Sequence, residues 1–531
     1  MLQISQLLLP VNHTEEDLRR AVANLLGVKA ADLEGLRIRQ RAVDARKRND
    51  VQFCYTLAVA VPDEAKALAR VGRNGHVKVE GDEEYVRVTP SPKVEKVVIV
   101  GAGPCGLFAA LLLAREGRKP LLLERGKAAG PRARDVTGFW RRGLEFQPDS
   151  NVQFGEGGAG TFSDGKLYTQ IRDREHRIPW ILRELVKAGA PEDILVKSRP
   201  HIGTDRLIKV VRTIREEIIA LGGEVRFETR VADVVLENGA MRAVMTQTGE
   251  VIEGDRFIFA VGHSSRDTFE ALHQRGVPFE AKPFSVGVRI EHPQSLMDKS
   301  LFGKAAGHPL LGAAAYKFVA HCQTGRSAYS FCMCPGGLVV AANSEARMVV
   351  TNGMSSYQRE ESNANTGFMV EIQPGDFPGE SPLRGIEFQR GLERQAYILG
   401  GSNYHAPAQL LGDFLAGRAS EGPGSVKPSY LPGVRWTDLR EILPEIVART
   451  LKEAAPKIDQ QVRGFNLGEA VMTGLETRSS SPVRIPRDPD TLECLGVANF
   501  YPAGEGAGYA GGIISAAVDG LRVAERVLAG N

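Results

Sequence analysis

The stretch that most constrains this 531-residue chain runs from Val94 to Glu124. Val94–Val100 reads as a short buried strand and is followed at once by Gly101-Ala102-Gly103-Pro104-Cys105-Gly106. A helix then runs through Arg115 and stops at Gly117, and Pro120–Leu123 forms a second strand closed by Glu124. Strand, glycine turn, helix, strand and acid within about 30 residues make a parallel βαβ unit that accepts a dinucleotide. The steric reasons are separable. Gly101 permits the sharp turn, Gly103 lets backbone approach a pyrophosphate, and Gly106 lets the helix lie close to the sheet. Pro104 opens the helix, whose free N–H groups and partial positive charge suit phosphate. Glu124, about 20 residues on, is placed to accept from ribose hydroxyls. A glycine-rich turn in an unrelated α/β fold is the bland alternative.

Composition excludes several classes. With 43% hydrophobic and 25% charged residues the chain is globular, and its length predicts two or three units. A net charge of +3 gives no global field for nucleic acid or anionic lipid. The one basic run, Arg37–Arg48, reads first as a solvated loop and second as an RNA or acidic-partner surface. Six scattered cysteines suit a reducing compartment with free thiols. The opening residues lack a signal-peptide pattern, and no apolar run approaches the roughly 18–20 residues of a membrane span. The expected location is the cytoplasm.

Residues 1–90 read as a separate α+β module, with strands at Ile4–Leu9 and Val51–Val61. Thr14 and the acids after it cap a helix that stops at Gly27. The mixed pattern suggests a ferredoxin-like unit. Residues 93–284 read as the first part of the dinucleotide domain, with a helix at Asp205–Leu221 and buried strands such as Phe257–Val261. Residues 285–465 mix β-rich pieces with long polar loops and read as an inserted substrate-side domain. Residues 466–531 return to the first domain through a strand at Val497–Ala503, a glycine turn at Gly504–Gly512 and a helix at Ile513–Leu528. The fold class is therefore α/β: a discontinuous Rossmann-type domain, a β-rich insert and a small N-terminal module.

FAD and NAD share the first turn, so a second feature decides between them. Gly504-Glu505-Gly506-Ala507-Gly508-Tyr509-Ala510-Gly511-Gly512-Ile513 resembles the C-terminal motif of the flavoprotein superfamily that includes the hydroxybenzoate hydroxylases and geranylgeranyl reductases. In that superfamily the acid meets the ribityl chain or a hydroxyl beside the pyrophosphate. The following helix N-terminus points at the flavin pyrimidine edge and suits negative charge there. Glu505 stands where Asp is commoner. Phe257–Gly262 resembles the superfamily's Ala-Thr-Gly strand, with Val261 between Ala260 and Gly262, and Arg230-Val231 resembles the strand that brackets adenine.

The chain is closer still to the bacterial FAD-dependent dehydrogenase-like proteins. The resemblance is carried by Gly155–Leu167, Tyr329–Gly337, Gly474–Ile485 and Gly504–Gly520. It implies FAD and redox activity, and no particular substrate.

Further candidates follow from residue chemistry. Gly157, Gly158 and Gly160 allow backbone beside an aromatic ring, and Lys166 near the flavin would favour its reduced anionic form. A glycine loop with a surface lysine is the alternative. Arg125 and Arg132 are candidates to neutralise the pyrophosphate, against a surface role. Strand alternation would put Cys332 and Cys334 on one face as relay thiols, against plain packing. No ligand set is completed for a metal. Arg478 and Arg484, among the hydroxyls of Thr477–Pro482, read either as an anion site or as a loop cap. His263 reads as structural.

The expected function is transfer of hydride or electrons between an organic substrate and FAD, with NAD(P)H as a transient donor. An RNA- or tRNA-directed flavoprotein and a non-catalytic flavin scaffold are the alternatives. Nothing in the sequence sets an oligomeric state.

Overall fold

The computed structural model describes every residue except 49, 73–74, 82–83, 94 and 531. Val94, the expected first residue of the leading strand, lies outside the described residues; the strand itself is Val97–Val100.

At the N-terminus, strands Leu2–Pro10, Glu34–Asp44, Gln52–Ala60 and Val77–Val79 form an antiparallel sheet in the order second, third, first, fourth. Helices Glu15–Leu26 and Glu64–Val71 pack on it, giving the ferredoxin-like order. Thr14 and Asp17 form a capping box, and Gly27 ends the first helix in the left-handed region. Leu2, Ile4, Val22, Phe53 and Leu57 make a dry core.

The basic run is not a loop. Most of it is the strand Glu34–Asp44, because alternate side chains can be basic on a face turned to solvent. Its charges are also partly spent. Arg37 and Arg39 both pair with Glu80, and Arg46 pairs with Asp44. The Arg41 N–H donates to Val196 O at 2.7 Å, tying this edge to the rest of the chain.

The central sheet is parallel, in the order Phe500–Pro502, Arg256–Phe259, Val97–Val100, Leu121–Leu123, Glu224–Arg226. Its strands come from chain segments far apart in sequence, as a discontinuous domain requires. Alternation splits its side chains between two cores. Val97, Ile99, Ile258 and Tyr501 meet helices Pro104–Arg115, Thr204–Ala220 and Ile513–Ala529. Val98, Val100, Phe257 and Phe500 meet a three-stranded antiparallel sheet that begins with Val231–Glu237. Two of the helices approach closely at Gly520, where a Cβ would stand 2.1 Å from Cys105 O.

A seven-stranded sheet covers the opposite side of the site, in the order Val319–His321, Ser327–Cys334, Asn363–Ile372, Phe284–Pro293, Val471–Glu476, Ala406–Leu410, Val434–Trp436. One face is apolar. Val286, Val288, Ile290 and Phe368 pack there with Phe465 and the helix Glu445–Gln461. The other face carries buried Arg289, Asn365, Thr473 and Glu476.

Two expectations change here. Val471–Glu476 pairs with Phe284–Pro293 and with Ala406–Leu410, so the covering sheet extends past residue 465. The presumed polar loops also contain helices Arg384–Leu399 and Glu445–Gln461. Buried Gln389 and Glu393 blur the apolar period of the first, and Pro456 sits inside the second. Among the described residues no helix is long and apolar enough to cross a membrane.

Candidate dinucleotide site and the wall that faces it

A cavity of about 500 Å³ lies between the ends of the parallel strands and the seven-stranded sheet. Its size and position suit a cofactor site at the carboxyl edge of an open parallel sheet. Both glycine turns open on it. Gly101, Gly103 and Pro104 line it from the first, and Glu505, Gly512 and Ile513 from the second. Gly103 and Gly512 are the N-caps of helices Pro104–Arg115 and Ile513–Ala529, so two helix N-termini converge on one space.

The glycines of the first turn differ in role. Gly101 has φ +102°, and a Cβ there would meet Ala260 O at 2.5 Å. On Gly106 a Cβ would stand 1.9 Å from Gly101 O, so Gly106 packs helix against turn and does not line the cavity. At Gly103 the nearest atom to a Cβ is Gly158 Cα, 3.9 Å away. At Gly262 and Gly512, which also line the cavity, a Cβ would meet nothing within 4 Å. This is a backbone cradle open to a ligand. Gly158 and Gly160 close it from the side, where a Cβ on Gly160 would touch Ile513. Val231 and Ala260 complete the wall among the expected residues.

Glu124 borders the cavity with a nearly buried carboxylate. It accepts from Ala102 N at 2.8 Å, Gly126 N at 2.9 Å and Gly155 N at 2.9 Å, so it fixes the first turn against two further loops. Arg125 lines the cavity with its charge paired to Asp149 and Asp267 and its guanidinium 4.0 Å above the Phe154 ring.

Arg132 is placed differently from expectation. It is fully buried and donates to the carbonyls of Asn151, Val152, Gly155, Glu156 and Gly158, and it does not reach the cavity. It organises the glycine loop rather than neutralising a phosphate, because clustered carbonyls are themselves good guanidinium acceptors. Gly504 also stands behind the wall. Its N–H donates to Asp519 at 2.8 Å, and Arg487 holds Asp519 in place.

Glu505 carries the clearest electrostatic signature. Burial raises its carboxyl to about 7, against the opposing pull of the Gly512 N–H and the Lys282 charge. A proton can therefore be held or released there near neutrality.

Lys166 lines the cavity 3.2 Å from Asp164 and 3.9 Å from Cys334 Sγ. Burial opposes its charge, but Asp164 overrides burial and holds the ammonium well above its ordinary value. Arg359 grips the same Asp164 at 2.6 Å and 2.9 Å.

Cys332 and Cys334 both line the cavity, but they do not share a strand face. The register shifts between Phe331 and Cys334, and Cys332 has φ +42°, so a bulge breaks the alternation. Cys332 is exposed to the cavity and Cys334 is buried, and neither is in a disulfide. The protein packed around the cavity disfavours the thiolate and pushes Cys332 up to about 12, although its side chain opens on that cavity.

Arg478 lines the cavity over a buried ion network. Arg478 and Arg266 share Glu393, and Arg266 also reaches Glu345. Arg484 instead lies over the Tyr509 ring. His263 lines the cavity beside Ser264. Burial, followed by the charges of Arg478 and Arg266, lowers it to about 3 and keeps it neutral. Tyr316, Lys317, Ser330 and Asn352 line the wall without having been expected. Tyr316-Lys317 and Asn352 come from segments with no motif, Ser330 lies in the Tyr329–Gly337 stretch without having been singled out there, and only the tertiary fold joins them.

Three family models match the chain: "FAD-dependent protein, C-terminal domain-like" over residues 283–479, an NAD(P)-binding Rossmann-like domain over 99–149, and a domain of unknown function over 1–60. A protein of Clostridium beijerinckii recorded as uncharacterized is 45% identical over 514 residues, 96% of this chain and 95% of that one. Tetracenomycin B2 monooxygenase-dioxygenase of Streptomyces olivaceus is 25% identical over 174 residues, 29% of this chain and 30% of that one. The solved geranylgeranyl bacteriochlorophyll reductase-like protein of Thermoplasma acidophilum is 12% identical, covering 82% of this chain and 78% of its own, with a TM-score of 0.34.

Proposed function

The chain belongs to a family of FAD-dependent proteins, and on that premise we propose that it is an oxidoreductase passing hydride or electrons between an organic substrate and FAD. The observation that supports this most is the convergence of two glycine-capped helix N-termini on one cavity faced by a second sheet. FAD, when bound, supplies a two-electron acceptor and donor that the side chains lack.

The residues fit that group. Gly103, Pro104 and the first helix N-terminus would take the pyrophosphate, with Gly158 and Gly262 leaving room for it. Glu505 would accept a hydroxyl, and the helix starting at Ile513 would favour negative charge at the ring end. Lys166, kept cationic by Asp164, would add a second positive centre. Cys332 and Cys334 are candidates for relay thiols on the covering wall. NAD(P)H is a candidate transient donor.

The test is spectroscopic. Purified protein should be yellow, should bleach on anaerobic photoreduction, and should reoxidise with air or quinones faster than free flavin. Reoxidation no faster than free flavin would leave only a scaffold. Substitution of Cys332 and Cys334 by Ser should slow reoxidation if the thiols relay electrons, and unchanged rates would remove them from the reaction.

Glu505 gives a pH prediction for FAD-free protein. Its folded value, about 7, lies above the ordinary carboxylate range. Its contribution to stability is therefore full below that range and is lost as pH rises through 7. The melting temperature should fall from pH 5 to pH 8, and Glu505→Gln should flatten that fall. Parallel curves for the two proteins would refute the assignment.

A further inference from the structure

The wall opposite the glycine turns presents several side-chain donors to the cavity. Asn352 Oδ1 is occupied, accepting from Arg289 at 2.8 Å and from the Gly353 N–H at 2.8 Å. This fixes the amide's orientation and leaves its N–H₂ group for the cavity it lines. Ser330 Oγ accepts from the Phe318 N–H at 3.0 Å, so its own O–H remains to donate. Lys317 lines the cavity at an exposed position and makes no ion pair among the described residues.

The charge balance has the same sign. Asp164 is one carboxylate shared by two cations, Lys166 and Arg359. The Arg289 charge next to this wall is already matched by Glu476. Lys317 therefore adds to the positive charge that Lys166 and Arg359 leave over around Asp164. Phe331 and Met333 supply apolar surface between these donors.

The geometry points to an organic carboxylate as the substrate class, its oxygens received by Lys317, the Asn352 amide and the Ser330 hydroxyl and its carbon body lying on Phe331 and Met333. A purely apolar substrate would leave the half-buried Asn352 and Ser330 donors unmatched, and Lys317 favours a full negative charge over a neutral acceptor. This inference rests on the reading of the glycine-lined part of the cavity as the FAD site.

The test uses FAD-loaded protein, with FAD content measured first. Calorimetric titration compares butyrate, benzoate and phenylacetate with butyramide, benzamide and phenylacetamide. At least one acid should bind about ten-fold more tightly than its amide, as expected for hydrogen bonds to a charged group. Its affinity should fall as salt is added. Lys317→Glu should weaken that acid about ten-fold or more by replacing attraction with repulsion, leave the amide's affinity within about two-fold, and leave FAD content unchanged; Lys317→Arg should restore the acid's affinity. Amides binding as tightly as acids, no binding of any acid, or equal affinity in Lys317→Glu would overturn the inference while FAD binding stands. Protein that takes up no FAD would overturn the cofactor reading and this inference with it.

Discussion

Gly103→Val is expected to give a folded protein without flavin colour. Gly103 has φ −76° and ψ −178°, a conformation open to any L-residue, so valine adds no backbone strain. The nearest atom to its new Cβ would be Gly158 Cα at 3.9 Å, ordinary contact. The valine methyls would instead enter the cavity between two helix N-termini, where phosphate is expected. Loss of cofactor without loss of fold should follow, read as visible absorbance per unit of protein together with an intact circular-dichroism melt. Gly106→Val is the contrasting control. A Cβ there would collide with Gly101 O at 1.9 Å, so that variant should fail to fold. A Gly103→Val protein with full flavin content would remove the pyrophosphate from this turn.

The second large effect concerns Glu393. Its carboxylate is fully buried and accepts from Arg266, Arg478 and Thr477 at 2.8–3.0 Å. Glu393→Gln keeps the shape but leaves two buried guanidinium groups short of a counter-charge, and in either orientation points an amide N–H₂ at both of them. Removing one partner of such a buried set costs about 3–5 kcal/mol. Burial alone would raise the Glu393 carboxyl, but Arg266 and Arg478 overcome that and hold it far below the ordinary carboxylate range. The stabilisation is then present above that range and is lost as pH falls toward the folded value. The gap between wild type and Glu393→Gln should be full at pH 7 and should narrow below about pH 4.5. Urea unfolding at the two pH values measures it. A gap under about 1 kcal/mol at pH 7 would mean that the network is solvated.

What could be read from the sequence was what local sterics and period determine. The turn at Gly101–Gly106 admits no other residue type at two of its positions, and the Thr14 cap and the Gly27 stop are local hydrogen-bond problems. The second turn could be placed because glycines cluster before an apolar helix. What could not be read depends on partners distant in sequence. Arg132 looks like a phosphate ligand until five carbonyls are found around it. The two cysteines share a face only in a strand without a bulge, and nothing in Ser-Phe-Cys-Met-Cys announces one. Val471–Glu476 sits in the middle of the covering sheet, yet it is short and buried on both sides, so it shows no alternation that would assign it. Lys317 and Asn352 carry no motif at all, and nothing within Tyr329–Gly337 singles out Ser330.

The order of strands in the parallel sheet also bears on biosynthesis. Phe500–Pro502 is made long after the strand Arg256–Phe259 that it borders, and the helix at Ile513 follows it. A nascent chain emerging from the ribosome therefore carries one half of the proposed cofactor cradle, with an apolar strand edge bare, while the entire covering domain is still being translated. Flavin capture must then be a late event, and halted translation products should retain none.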